Sequence, residues 1–138
     1  MIYLLNTNAA ISILNNRPRT VRQRYAKALT TENSISLSSV VLFELRYGIA
    51  KSTRVQENTE RLRIFLSGPM SVAAFGEDDA EIAGNLRAVL ETQGMPIGPY
   101  DILIAAQALR LGATIVTANV SEFSRVPDLL LEDWTVEA

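Results

Sequence analysis

The sequence has 138 residues, 48% of them hydrophobic, and a formal net charge of −2; that length and composition predict one domain over 1–138 around one core. No run approaches the ~18 apolar residues of a membrane span, and Met1 to Leu5 is too short for a secretory apolar core, so a soluble cytoplasmic protein without membrane association is expected. Neither cysteine nor histidine occurs, which excludes disulfides, thiolate zinc sites, Ser-His triads and imidazole-ligated metals.

The apolar run Ile2 to Leu5 meets Asn6-Thr7-Asn8, which reads as a buried strand ending at a helix N-cap, with a short helix over Ala9 to Leu14. Arg17-Pro18 breaks that helix. Val21, Tyr25 and Ala28 or Leu29 then recur at helical spacing, predicting a second helix from Pro18 to Leu29. Ser34 to Ser38 alternates as a strand, Ser38 or Ser39 caps a helix from Val40 to Ala50, and a polar amphipathic helix follows over Val55 to Leu66.

Gly68-Pro69 is a turn, Ser71 to Phe75 a strand, and Glu77 to Thr92 a helix whose first turn carries acids, where the helix dipole favours them. Gly94, Pro96, Gly98 and Pro99 form a loop that launches a helix from Tyr100 to Leu111, stopped by Gly112. Thr114 to Thr117 and Leu129 to Trp134 are the last two strands. Strands alternating with helices predict an α/β fold of three layers, a central parallel sheet of four to five strands flanked by helices, with ligands at the carboxyl ends of the strands.

The charge is unevenly distributed. Up to Pro69 there are 10 basic and 4 acidic residues, and beyond it 3 and 11, so the halves carry about +6 and −8. Eleven of the thirteen basic residues are arginine, whose planar fork suits phosphate oxygens. Arg17, Arg19, Arg22, Arg24 and Lys27 are the densest group, and they suit either a solvated helix face or a nucleic-acid contact.

Without histidine or cysteine, catalysis falls to carboxylates, which favour hard, oxygen-seeking cations such as Mg²⁺ or Mn²⁺. Asn6 and Asn8 follow the first strand, Glu44 lies in an apolar helix, Asp101 sits in the first turn of another, and Asn119 and Glu122 follow the fourth strand in what reads as a loop. A parallel sheet can bring these positions to one crevice, where carboxylates would bind divalent metal for phosphoryl chemistry. Each position also has a plainer role: helix capping for Asn6 or Asn8, dipole stabilisation for Asp101, solvation for Asn119 and Glu122. Glu44 resists that treatment, since Val40, Val41, Leu42, Phe43 and Leu45 surround it and a buried unpaired carboxylate is costly. Ala105, Ala106 and Ala108 leave room beside Asp101 or allow close helix packing. A phosphatase-like or phospho-acceptor domain needs an aspartate nucleophile after the first strand, which Asn6 cannot supply.

Four segments in order resemble the PIN-domain family. Met-Ile-Tyr-Leu-Leu-Asn6-Thr7-Asn8 resembles its opening strand followed by Asp-Thr-Asn, Ser38 to Gly48 its second acidic motif, and Pro96-Ile97-Gly98-Pro99-Tyr100-Asp101 with Ile104-Ala105 its third. Thr117 to Phe123, with Arg125-Val126-Pro127 and Leu131-Glu132-Asp133-Trp134, resembles the close of VapC toxins. The resemblance implies a PIN-like fold and a Mg²⁺- or Mn²⁺-dependent endoribonuclease toxin acting on tRNA, the initiator tRNA among the candidates. It also implies silencing by a VapB-like antitoxin and a homodimer within the larger complex. Carried over, Asn6, Glu44, Asp101 and Glu122 are the catalytic positions, Asn6, Asp101, Glu44 and Asn119 the metal positions, and Thr7 and Asn8 their support. Arg17, Arg19, Arg22 and Arg24 would meet RNA.

Asn6 stands where the family resemblance implies aspartate. An amide offers one neutral carbonyl oxygen in place of two charged ones, so metal affinity and turnover are both expected to fall. Two origins are open: an engineered exchange that makes a toxic enzyme tolerable, or a natural, non-catalytic module that binds RNA or antitoxin.

Overall fold

The computed structural model describes residues 1–137. Its strands β1 (Ile2–Leu5), β2 (Ser34–Ser38), β3 (Ser71–Ala73), β4 (Thr114–Val116) and β5 (Leu130–Glu132) form one parallel sheet in the order β3-β2-β1-β4-β5. Helices α1 (Thr7–Asn15), α2 (Arg19–Leu29), α3 (Ser39–Ala50), α4 (Val55–Leu66), α5 (Glu77–Thr92), α6 (Pro99–Leu111) and α7 (Val120–Phe123) provide the crossovers that parallel strands require and flank the sheet. The expected α/β sheet is therefore present with five strands. Because helices cover it, β1 and β4 carry consecutive buried apolar residues, Leu4-Leu5 and Ile115-Val116, whereas β2 alternates serines with the buried Ile35 and Leu37.

Strand β1 pairs with β2 on one side and β4 on the other. The chain builds outward to β3 and then reverses to β4 and β5, which leaves a crevice at the carboxyl end of β1. Register sets what lines it. Leu5 is level with both Leu37 and Val116, so Asn6, Ser38 and Thr117 leave the sheet side by side. Ala105, Ala106 and Ala108 of α6 are fully buried, so close packing is the role these small side chains play. Helices α5 and α6 are joined by Asp79, whose buried carboxylate accepts the Gly76 N–H (2.8 Å) and two Arg110 guanidinium N–H groups.

Several expected boundaries shift. Helix α1 begins at Thr7 because the Asn6 side chain caps it directly, and α2 begins at Arg19 with Pro18 as a cap that has no side-chain bond. Ser38 is the cap of α3, accepting the Val40 N–H at 3.0 Å, whereas the Ser39 hydroxyl accepts from Phe75. That second bond ends the β3 ladder at Ala73, short of the expected Phe75. Strand β5 is likewise confined to Leu130–Glu132, after which Trp134 folds back edge-on to Tyr3 at 5.3 Å. The segment around Asn119 and Glu122 is not a loop: Asn119 caps the four-residue α7 and Glu122 lies within it, a helix too short to create any periodicity.

Candidate active site

The crevice at the end of β1 holds one continuous hydrogen-bond network. Asn6, 4% exposed, uses its Oδ1 to accept the Thr7 N–H at 2.7 Å and its Nδ2 to donate to Thr117 Oγ1 at 3.0 Å. Thr7 Oγ1 donates to Glu44 Oε1 at 2.8 Å, tying β1 to α3. On the other side Asn8 Nδ2 and the Asn119 N–H also donate to Thr117 Oγ1, at 3.2 and 3.0 Å. Asn119 Nδ2 donates to Glu122 Oε2 at 2.9 Å, and Glu122 Oε1 accepts the Gly98 N–H at the entrance of α6. Asp101 lies beside Glu122 against Gly98 and completes the cluster.

Burial, the hydrogen bond with Glu122, and the charges of Glu122 and Glu44 together push the Asp101 carboxyl up to about 7. Glu122 goes the other way: the Gly98 N–H and the Asn119 amide hold it below the usual carboxylate range. Below about pH 7 the pair therefore favours holding one proton, on the Asp101 side, because two neighbouring carboxylates repel. Gly98 makes the arrangement sterically feasible. A Cβ there would lie 3.3 Å from Asp101 Oδ2 and 3.4 Å from Glu122 Oε1, so any larger residue crowds both acids.

The expected residues Asn6, Thr7, Asn8, Glu44, Asp101, Asn119 and Glu122 are thus brought together, but not as a finished cation cage. Among the described residues no three acidic side chains stand close enough to hold one ion. The donor chemistry nevertheless suits a hard cation: oxygen donors only, surplus negative charge, and a carboxyl forced to retain a proton that a cation would displace. Glu44 is half-buried rather than enclosed by apolar neighbours, because Phe43 and Tyr47 of the same helix point outward.

Thr117 was not among the expected site residues, yet it is the hub. Three donors converge on its hydroxyl oxygen, which has two lone pairs, while its own hydrogen has no acceptor among these contacts. A carboxylate at position 6 would resolve that mismatch. Asn8 and Asn119 would fill the lone pairs and the hydroxyl would donate to the acid. The only sequence sign of Thr117 is a polar residue where an apolar strand ends.

The arginines of α2 stand apart from this network. Arg24 is engaged with the C-terminal segment, donating to the Asp133 carbonyl at 2.8 Å and to Glu132 at 3.1 Å. Arg22 donates to Asn16. Arg17 and Arg19 are exposed.

The PIN domain pattern matches residues 3–129. The chain is 40% identical to Ribonuclease VapC2 of Rickettsia felis over 134 residues, covering 97% of this chain and 98% of that one. It is 36% identical to the tRNA(fMet)-specific endonuclease VapC of Salmonella typhimurium, covering 96% and 97%. Among solved structures, VapBC2 from Rickettsia felis bound to a DNA fragment from its promoter superposes with a TM-score of 0.90 at 40% identity, over 97% of this chain and 99% of that one.

Proposed function

The chain belongs to the PIN-domain family, in its VapC ribonuclease branch, and from that footing we propose that it is the endoribonuclease toxin of a toxin-antitoxin pair, acting on tRNA with Mg²⁺ or Mn²⁺. The observation that carries the reading is the geometry at the carboxyl end of β1, where Asp101 and Glu122 both lie against Gly98 and Thr7 ties in the Glu44 carboxylate. The name of the Salmonella relative supports tRNA, the initiator tRNA included, as substrate. Asp101 and Glu122 would hold the ion, with the Glu44 charge, position 6 and Asn119 around it. When bound, such an ion neutralises charge on the phosphate and acidifies a water molecule.

The remaining work is done by the chain itself. Thr7 fixes the Glu44 carboxylate, Thr117 and Asn8 hold the turn after β1, and Asn119 and the Gly98 N–H orient Glu122. Asn6 cannot add charge and offers one neutral carbonyl oxygen, which also accepts the Thr7 N–H, so turnover is impaired in this chain. A VapB-like antitoxin is the partner, in keeping with the VapBC complex it resembles. An apolar groove of 220 Å³ beside Glu44, with Ile11, Leu14, Leu45 and Leu62 in its walls, supports such a contact. Arg17 and Arg19 are left for RNA, and a homodimer within the larger assembly completes the proposal.

The test is to convert Asn6→Asp and incubate with total tRNA and Mg²⁺ or Mn²⁺ in the absence of antitoxin. Cleavage products on a denaturing gel, absent for the parent chain, are the expected result; no gain of cleavage would sink the proposal. Asn6 itself favours a second reading, a PIN module that binds RNA or antitoxin without cutting. Under that reading Asn6→Asp binds RNA as the parent does and still cuts nothing.

A further inference from the structure

Beside the acidic crevice the surface carries three exposed aromatic rings that packing does not require. Phe43, Tyr47 and Tyr100 are 52%, 59% and 46% exposed. Phe43 and Tyr47 are one helical turn apart on α3. Tyr100, at the start of α6, meets Phe43 edge-on with ring centroids 5.6 Å apart. The Lys51 ammonium lies 4.8 Å from the Tyr47 ring centroid. These residues line a 450 Å³ pocket together with Thr7, Glu44 and Gly48, within the range of small-molecule sites. Two of its walls, Thr7 and Glu44, are also members of the acidic network.

Resting on the ribonuclease reading, we propose that this aromatic slot is a base-binding subsite that accepts one unpaired nucleobase of the RNA next to the bond to be cut. Aromatic side chains recognise RNA by stacking on bases that have left a helix, and the slot offers rings from two helices with a cation beside them for a backbone phosphate. Lys51 supplies that attraction where the neighbouring carboxylates would repel. The apolar groove on the other side of Gly48 differs in kind, being aliphatic and so better suited to a protein segment. Gly48 lies between the two and leaves the slot open: a Cβ at that position meets nothing within 4 Å. A duplex cannot present a stacked base to such a slot, so the subsite selects loops over paired stems.

The experiment uses the full chain, whose Asn6 allows binding to be read without cleavage, in Mg²⁺. The probes are an RNA hairpin carrying 2-aminopurine in its loop and a blunt duplex with the same stem. Tyr47→Leu, Tyr100→Leu and Phe43→Leu are each expected to weaken hairpin binding about tenfold and to abolish the fluorescence quenching that stacking causes. Duplex binding should stay unchanged. Gly48→Leu should act likewise by filling the slot, where a Cβ meets nothing within 4 Å, and the exposure of the three rings leaves the melting temperatures of their variants near the parent's. Leucine variants that bind the hairpin as tightly as the parent, with quenching intact, overturn the subsite and assign the rings to a protein contact. If Asn6→Asp cuts tRNA and the leucine changes leave that cutting untouched, the subsite falls while the ribonuclease stands. Absence of hairpin binding by the parent removes the subsite, and the ribonuclease reading then rests on whether Asn6→Asp cuts tRNA.

Discussion

Asp79 and Asp101 occupy the same kind of place, the first turn of a helix that enters after a glycine, and they behave in opposite ways. Asp79 is completely buried; burial alone would raise its carboxyl, but Arg110 and the Gly76 N–H outweigh it and hold it below the usual carboxylate range. Asp101 is less buried, yet faces Glu122 and Glu44 and is pushed up to about 7. Partners rather than burial decide which acid holds the fold and which is poised for chemistry. A buried acid with an arginine fastens α5 to α6. A half-buried acid among acids is strained electrostatically, and only a proton or a cation relieves it.

The largest effect expected from that contrast is on cleavage. In the Asn6→Asp background, Asp101→Asn should lower tRNA cleavage on the order of a thousandfold, since the proposed ion held there would supply several kcal/mol of charge stabilisation. Its melting temperature should stay level or rise, because a repulsion is removed. A drop in stability instead would make Asp101 a structural acid like Asp79, and the contrast would break. The converse variant, Arg110→Ala, leaves the buried Asp79 with only the Gly76 N–H as a partner and should lower the urea midpoint, moderately because Arg110 is itself 34% exposed. Cleavage by the folded fraction should not change. Loss of activity without loss of stability would place the Asp79–Arg110 pair in the catalytic apparatus after all.

How far the sequence discloses this difference can be judged residue by residue. The sheet and its helices are legible because apolar runs, caps and glycine stops repeat with the right periods, and the acids sit at positions that a parallel sheet gathers. Three things are not legible. Helix α7 has four residues, too few for a periodic signal. The role of Thr117 depends on three donors, two of them, Asn6 and Asn8, in one turn more than 100 positions earlier. The fates of Asp79 and Asp101 are set by Arg110, 31 positions after the first, and by Glu122 and Glu44, which no local pattern links to the second. The arginine-rich start of the chain is legible as charge but not as use, since Arg24 is absorbed by Glu132 and the C-terminal carbonyls.

The smallest expected effect is on stability and cation binding as pH changes, and it separates the two acids by sign. Asp79, lowered in the folded state, stabilises the fold above its unfolded value of 3.8 and loses that contribution only as pH falls below it. Asp101, raised from 3.8 to about 7, is better protonated in the folded chain, so its contribution declines as pH rises from 3.8 to about 7 and is constant beyond. Between pH 5 and 7 only Asp101 of this pair titrates. A divalent ion must displace its proton, so Mn²⁺ affinity should fall about tenfold per pH unit below 7 and level off above it. Thermal melts with and without Mn²⁺ should accordingly show a larger ion-induced rise at pH 8 than at pH 5, and Asp101→Asn should flatten that difference. A rise of equal size at both pH values in the parent chain would mean that the ion binds without taking the proton's place, and Asp101 would then be no more a cation site than Asp79.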